Sequence, residues 1–77
     1  MNTLLTQYKM ISCPELEQLT GLSRSSIYDR LNPKSDRYDS SFPKQIKLGH
    51  STRWKLSEVL EWIESKAALR NLPDSVS

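Results

Sequence analysis

Residues 23–30, SRSSIYDR, place short hydroxyls, two guanidinium groups, a phenol and a carboxylate within eight positions. Groups of these types bond phosphate oxygens and the edges of base pairs. Such a set on one short helix is therefore typical of nucleic-acid recognition. The candidate contact residues in this segment are Ser23, Arg24, Ser25, Ser26, Tyr28, Asp29 and Arg30.

Two of these side chains have a second interpretation. Tyr28 directly follows the apolar Ile27, so its ring either faces bases or is half-buried against the core. Asp29 either accepts a hydrogen bond from cytosine N4 or orients Arg24 or Arg30. The segment itself leaves both questions open.

A second group of basic residues lies in a segment of alternating polar and apolar residues, 44–56, with a turn at 49–52. The alternation predicts a β-hairpin with Ile46, Leu48, Trp54 and Leu56 facing the core. A hairpin that presents cations directly after a helix that contacts bases is called a wing. The alternative is that the lysines only protect an exposed edge strand from aggregation. The candidate residues here are Lys44, Lys47, His50, Arg53 and Lys55.

Both groups of candidate residues must be positioned by helices and strands. The first of these elements along the chain is a predicted pair of helices. Ser12 and Glu15 form a capping-box pattern, Pro14 suits a first helical turn, and Gly21 suits the end of a helix. Ser23 can cap a second helix over residues 24–31. This is a helix-turn-helix, with a plain αα-corner as the alternative. The apolar residues expected to face the core from this pair are Leu16, Leu19, Leu22, Ile27 and Leu31.

A third helix should begin at Ser57, which is a good N-cap, and should close the core with an apolar stripe of Val59, Leu60, Ile63 and Ala67. Trp54 and Trp62 are expected in the core, although paired tryptophans can also stack on unpaired bases. Between the second helix and the hairpin, residues 32–43 have no period and read as a loop, with Tyr38 and Phe42 as candidates to anchor it.

These elements predict an α+β, mostly helical fold: a winged helix-turn-helix with three helices and a two-stranded β-hairpin wing. We expect one domain over residues 10–67, a flexible N-terminal segment over 1–9 and a flexible tail over 68–77. The 77 residues allow only a small core, since chains near this length bury about 60% of their unfolded surface.

Charge is unevenly distributed along the chain. Residues 24–55 contain eight basic and three acidic residues, a net +5, whereas the remainder contains three basic and six acidic residues, a net −3. A polyanion is the expected partner of the basic window. One cysteine, Cys13, and one histidine, His50, exclude a disulfide within the chain and a Cys/His metal site. No apolar run is long enough to span a membrane and no secretory signal is recognisable, so we expect a cytoplasmic protein.

The order of motifs resembles the AlpA family of prophage transcriptional regulators, small relatives of winged MerR-type and excisionase domains. The matching segments are TGLSRSSIYDRL (20–31), FPKQIKLG (42–49), Arg53-Trp54 and SEVLEWIESK (57–66). The resemblance implies a compact winged-helix fold and a sequence-specific DNA-binding regulator. It implies a reading helix that supplies Arg24, Ser25, Ser26, Tyr28 and Arg30, and a wing that supplies Lys47, His50 and Arg53.

Three functions remain in competition. The first is a transcriptional regulator that binds double-stranded DNA, with a second copy of the chain on repeated or inverted half-sites. The second is an excisionase-like factor that bends DNA with the same residues, and the third is an adaptor whose helix pair docks another protein. We expect no enzyme, cofactor, small-molecule ligand or membrane contact, because no nucleophile-base pair, carboxylate pair or phosphate-binding glycine loop is present.

Overall fold

A computed structural model describes residues 7–70 of the chain. Its elements are β1 (Met10–Ile11), α1 (Cys13–Thr20), α2 (Arg24–Leu31), β2 (Ile46–Leu48), β3 (Ser51–Lys55) and α3 (Leu56–Leu69). The α+β, mostly helical winged fold is confirmed, with three helices lying wholly within residues 7–70. The sheet has three antiparallel strands in the order β1-β3-β2, because β1 adds a third strand to the predicted hairpin.

The first helix begins with the predicted capping box. The Ser12 N–H donates to Glu15 Oε1 at 2.9 Å, and the Glu15 N–H donates to Ser12 Oγ at 3.4 Å. The pKa of Glu15 is lowered, because the Ser12 N–H and hydroxyl both donate to its ionised carboxylate. Pro14 lies in the first turn of α1, where a missing N–H leaves no helical bond unmade.

Gly21 and Ser23 make the sharp turn between α1 and α2. Gly21 has a φ of 74°, and its N–H donates to Glu17 O at 2.8 Å, as expected of a left-handed C-cap. Ser23 Oγ then accepts from the Ser26 N–H at 3.1 Å and caps α2. The predicted bounds of the second helix, 24–31, are confirmed.

The predicted faces of the hairpin are wrong. The turn comprises only Gly49 and His50, so Leu48 pairs with Ser51 and Ile46 pairs with Arg53. Directly opposite residues share a face of the sheet, so Ile46 lies on the same face as Arg53. Successive residues of a strand point to opposite faces, and Trp54 therefore lies on the other face from Ile46. Leu48 is 53% exposed instead of buried.

The N-cap of the third helix lies two residues before Ser57, the N-cap predicted from the sequence. Lys55 occupies this position and makes no side-chain capping bond. The Leu56 N–H instead donates to Lys9 O at 2.9 Å, which extends the pairing of β1 with β3 into the first helical turn. Leu56, predicted to lie in a strand, is thus a helical residue that packs against the core.

The core lies where the two N-terminal helices and α3 meet β3. Leu22, Leu31 and Ile63 are partly buried against it, as predicted. Two residues predicted to face the core are exposed instead, Leu19 at 45% and Leu60 at 38%. Leu16, three positions before Leu19 on α1, is fully buried. The buried members are Ile11, Cys13, Leu16, Ile27, Phe42, Trp54 and Val59.

Asp39 ties the long loop to α3. Its carboxylate accepts from Trp62 Nε1 at 3.2 Å and lies 3.2 Å from Lys66 Nζ. The Ser41 N–H and hydroxyl also donate to it. These donors, led by the Ser41 hydroxyl, hold the pKa of Asp39 far below its ordinary value despite its partial burial.

Aromatic packing completes the anchoring of the loop. Phe42 is buried and meets the Trp62 ring edge-on at 4.9 Å between centroids. Phe42 is therefore confirmed as an anchor of this loop, whereas Tyr38 is 41% exposed. Trp62 is half-buried, in contrast to the fully buried Trp54.

The expected flexible segments fall mainly outside the described residues. Positions 1–6 and 71–77 of those segments are not described, and α3 continues through Leu69. The division of the chain at 9/10 and 67/68 stays a prediction. None of the helices between residues 7 and 70 has the length and apolar character needed to cross a bilayer.

Replacement of Asp39 by Asn should lower the free energy of unfolding by about 2 kcal/mol near neutral pH, since charge-assisted hydrogen bonds are lost. Because folding depresses the pKa of Asp39, its stabilisation is complete above the unfolded value near 4 and declines as the pH falls below it. Urea unfolding at neutral pH and near pH 3 measures both effects. Asp36→Asn is the matched control, because Asp36 is an exposed carboxylate of the same loop; equal losses in both variants would contradict the role of Asp39.

Candidate nucleic-acid interface

The outward face of α2 is set by Ile27, which is fully buried. With 3.6 residues per turn, Ser25 and Asp29 each lie about 160° around the helix from Ile27. They are four residues apart and therefore neighbours on the helix surface. Ser25 is exposed and Asp29 is half-exposed, so this pair is central on the face that α2 presents to solvent.

Two of the predicted serines stabilise the start of α2. Ser23 Oγ accepts from the Ser26 N–H and also donates to Ser26 Oγ at 3.1 Å. Ser23 is exposed, whereas Ser26 is half-buried. The capping bonds fix the first turn, where free N–H groups and the helix dipole favour an anion.

Tyr28 links α2 to the sheet. Its ring is half-buried and meets the Trp54 ring edge-on, with centroids 6.3 Å apart. The Arg24 guanidinium lies over the Tyr28 ring at 5.6 Å from the centroid, a cation-π geometry. The half-buried alternative for Tyr28 is therefore the one observed, and the ring supports the exposed Arg24 at the helix N-terminus.

Arg24 also acts electrostatically on the first helix. Burial raises the pKa of the Cys13 thiol, and the positive charge of Arg24 opposes that rise. Cys13 is buried at the start of α1, and its Sγ lies 3.8 Å from Glu17 Oε2. Arg24 thus occupies the junction of α1 and α2, at the flank of the outward face and not at its centre.

Asp29 and Arg30 differ from the predicted arrangement. Asp29 Oδ2 lies 3.8 Å from Arg37 Nη1, so among the described residues its ion-pair partner comes from the loop and not from Arg24 or Arg30. Arg30 Nη1 donates to Ser26 O at 3.1 Å, which holds the half-buried Arg30 along the helix. Sequence reasoning missed Arg37, because nothing local indicates that the loop returns to α2.

The hairpin cations fall on two faces. Lys47 pairs with Thr52 across the strands, and Lys47 Nζ lies 2.8 Å from Thr52 Oγ1. Arg53 and Lys55 alternate with Trp54 and lie on the other face, where Lys55 pairs with Met10. The predicted grouping of Lys47 with Arg53 and Lys55 on one outward face is therefore wrong.

Two other predicted contact residues are freely accessible. His50 is exposed at the hairpin turn beside Gly49, whose φ is 67°. Lys44 is exposed directly after the buried Pro43. Arg53, by contrast, is half-buried, and its Nη1 donates to Thr52 O at 2.9 Å.

The structure thus brings Ser23, Arg24 and Ser25 together at the start of α2 and sets Lys47 and His50 near the end of the hairpin. It separates Arg53 and Lys55 from Lys47 by the thickness of the sheet. In residues 7–70 no cluster of three His, Cys, Asp or Glu side chains is placed to hold a metal ion. The arrangement suits binding of an extended anion.

Comparisons with known proteins identify the family of this chain. A family profile described as "Prophage CP4-57 regulatory protein (AlpA)" matches residues 9–67. The chain is 44% identical over 62 residues to the "DNA-binding transcriptional activator AlpA" of Escherichia coli (strain K12), covering 79% of this chain and 89% of that protein. It is 36% identical over 67 residues to the "Uncharacterized protein ORF88" of Enterobacteria phage P4, covering 86% of this chain and 69% of that protein. No solved structure matches the chain.

Tyr28→Phe should leave the free energy of unfolding within about 0.5 kcal/mol of the unaltered chain, since the ring and its contacts remain. Tyr28→Ala should lower it by about 2 kcal/mol, because the half-buried ring and its edge contact with Trp54 are lost. Urea unfolding followed by circular dichroism measures both values. A large loss in the Phe variant would show that the phenol hydroxyl, and not the ring, supports the helix.

Proposed function

Because this chain belongs to the AlpA family of prophage regulatory proteins, we propose that it is a DNA-binding transcriptional regulator that reads the major groove with α2. It is a binding protein and not an enzyme. The observation that carries the proposal is the capped helix pair, in which Gly21 and Ser23 turn α2 so that Ser25 and Asp29 face outward.

The first turn of α2 enters the groove. A helix of ordinary diameter fills the major groove of B-DNA, which is about 12 Å wide. The free N–H groups at the start of α2 and the Arg24 guanidinium bind phosphate, while Ser25 and Asp29 face base edges. Tyr28 acts behind this surface, since its ring supports Arg24 and packs on Trp54.

The hairpin grips the neighbouring backbone or minor groove. Lys47 and His50 are exposed at its outer end, and Lys44 lies at its base. Arg53 and Lys55 reach the duplex from the opposite face of the hairpin, so a wing lying along the backbone presents cations on both sides. Phosphate contacts of this kind fix the register of α2 without reading sequence.

Two copies on adjacent half-sites would complete the complex. One small module buries roughly 600–1,000 Å² of protein surface on DNA, at the low end for specific recognition. A second copy of the chain on a direct or inverted repeat doubles that area. Protection mapping of the region upstream of this chain's own gene and of a neighbouring integrase gene should reveal paired footprints.

Two other functions predict different results in assays of DNA bending and duplex binding. An excisionase-like factor would bend its site in circular-permutation gel shifts and leave promoter activity unchanged. A protein-docking adaptor would bind no duplex, and its activity would survive neutralisation of the cations on α2 and the hairpin.

Duplex binding should weaken steeply with salt. If about five cations neutralise phosphates, a plot of log K against log salt concentration has a slope near −4.5. The double variant Arg24→Gln with Lys47→Gln should reduce the magnitude of that slope by about 1.8, because two phosphate contacts are lost. Fluorescence anisotropy with a labelled duplex at several salt concentrations measures both slopes.

Lys9→Gln is the matched control for these substitutions. Lys9 precedes β1 and lines a shallow depression with Glu15 and Gln18, outside the proposed interface. Its removal should leave the slope unchanged. A flat salt dependence of the unaltered chain, or an equal effect of Lys9→Gln, would contradict duplex binding through α2 and the hairpin.

A further inference from the structure

Residues 32–39, here named the return loop, leave the end of α2 and come back to it. The Ser35 N–H donates to Asn32 O at 2.9 Å and the Tyr38 N–H donates to Ser35 O at 3.1 Å, which makes two successive turns. The Asp39 N–H then donates to Arg30 O at 3.0 Å. Because both ends of the return loop are bound to the last turn of α2, the loop has a fixed position relative to that helix.

The return loop places a cation beside the outward face of α2. The Arg37 N–H donates to Ser35 Oγ at 3.1 Å, which fixes its backbone. Its guanidinium lies 3.8 Å from Asp29 Oδ2, and the two side chains are 70% and 43% exposed. Arg37 therefore stands next to the central carboxylate of the face proposed to enter the groove.

The ion pair is too weak to keep Arg37 from another anion. Exposed ion pairs of this kind contribute little to stability. A guanidinium binds phosphate through two parallel, charge-assisted hydrogen bonds, which is a stronger interaction. A helix seated in the major groove has a row of phosphates on each side, and a cation at the flank of its C-terminal half lies next to one of those rows.

We propose that the return loop is a third DNA-contacting element, in which Arg37 leaves Asp29 and binds a backbone phosphate beside the groove occupied by α2. In the free protein Asp29 holds the guanidinium at the edge of the reading face. In the complex the released carboxylate is available to a base edge. This inference rests on the proposed function and adds a contact to it.

The test is the salt dependence of Arg37→Gln on a short mixed-sequence duplex. The slope of log K against log salt should be smaller in magnitude by about 0.9 than for the unaltered chain, the effect of one phosphate contact. Lys9→Gln should leave the slope unchanged. Arg37 is exposed, so unfolding curves of the variant should match those of the unaltered chain and exclude misfolding as the cause.

The same comparison in the Asp29→Asn variant distinguishes a direct contact of Arg37 with phosphate from neutralisation of the Asp29 charge by Arg37. If Arg37 binds phosphate, Arg37→Gln should reduce the slope by the same amount when Asp29→Asn is also present. Disappearance of the reduction in that background would show that Arg37 only screens Asp29, and would overturn the inference.

The unaltered chain distinguishes this inference from the proposed function. Salt-dependent binding by the unaltered chain together with an unchanged slope for Arg37→Gln overturns the phosphate contact alone. Absence of duplex binding by the unaltered chain overturns both.

Discussion

Burial of the Trp54 ring is the constraint on which the arrangement of the other elements depends. The ring is fully buried, it lies on β3 opposite Ile11 of β1, and Tyr28 of α2 meets it edge-on. Burying an aromatic ring of this size contributes on the order of 5 kcal/mol. Its N–H finds no acceptor within residues 7–70, at a cost of about 1–3 kcal/mol. The free energy gained by burying the ring exceeds that cost, so the ring stays inside and fixes the orientation of α2 relative to the sheet.

The parts of the fold that were predicted correctly depend on residues close together in sequence. The Ser12 and Glu15 capping box, the left-handed Gly21 and the Ser23 cap each involve partners within four residues. Such interactions are determined by side-chain type and spacing alone. The bounds of α2 followed from them, and so did the outward position of Ser25.

The errors arose where two contacting residues are distant in sequence, or where the register of the hairpin determines which face a side chain occupies. The expected turn has four residues and the observed turn has two, and both numbers are even. In either register Ile46 pairs with a neighbour of Trp54 and not with Trp54 itself, so Ile46 and Trp54 could not have shared a face. Leu56 begins α3 because Lys9 accepts its N–H, a bond between positions far apart in the chain. No local pattern identified Asp39, whose partner Trp62 is 23 positions away, or the approach of Arg37 to Asp29.

The junction between β3 and α3 has a mechanical consequence. β3 (Ser51–Lys55) is followed directly by α3 (Leu56–Leu69) with no intervening loop. Hinges in proteins form at loop or element-terminal residues that are free to change φ and ψ. At Lys55 and Leu56 that freedom is removed by the bond to Lys9. Bending of the hairpin relative to α3 at this junction therefore requires that bond to break.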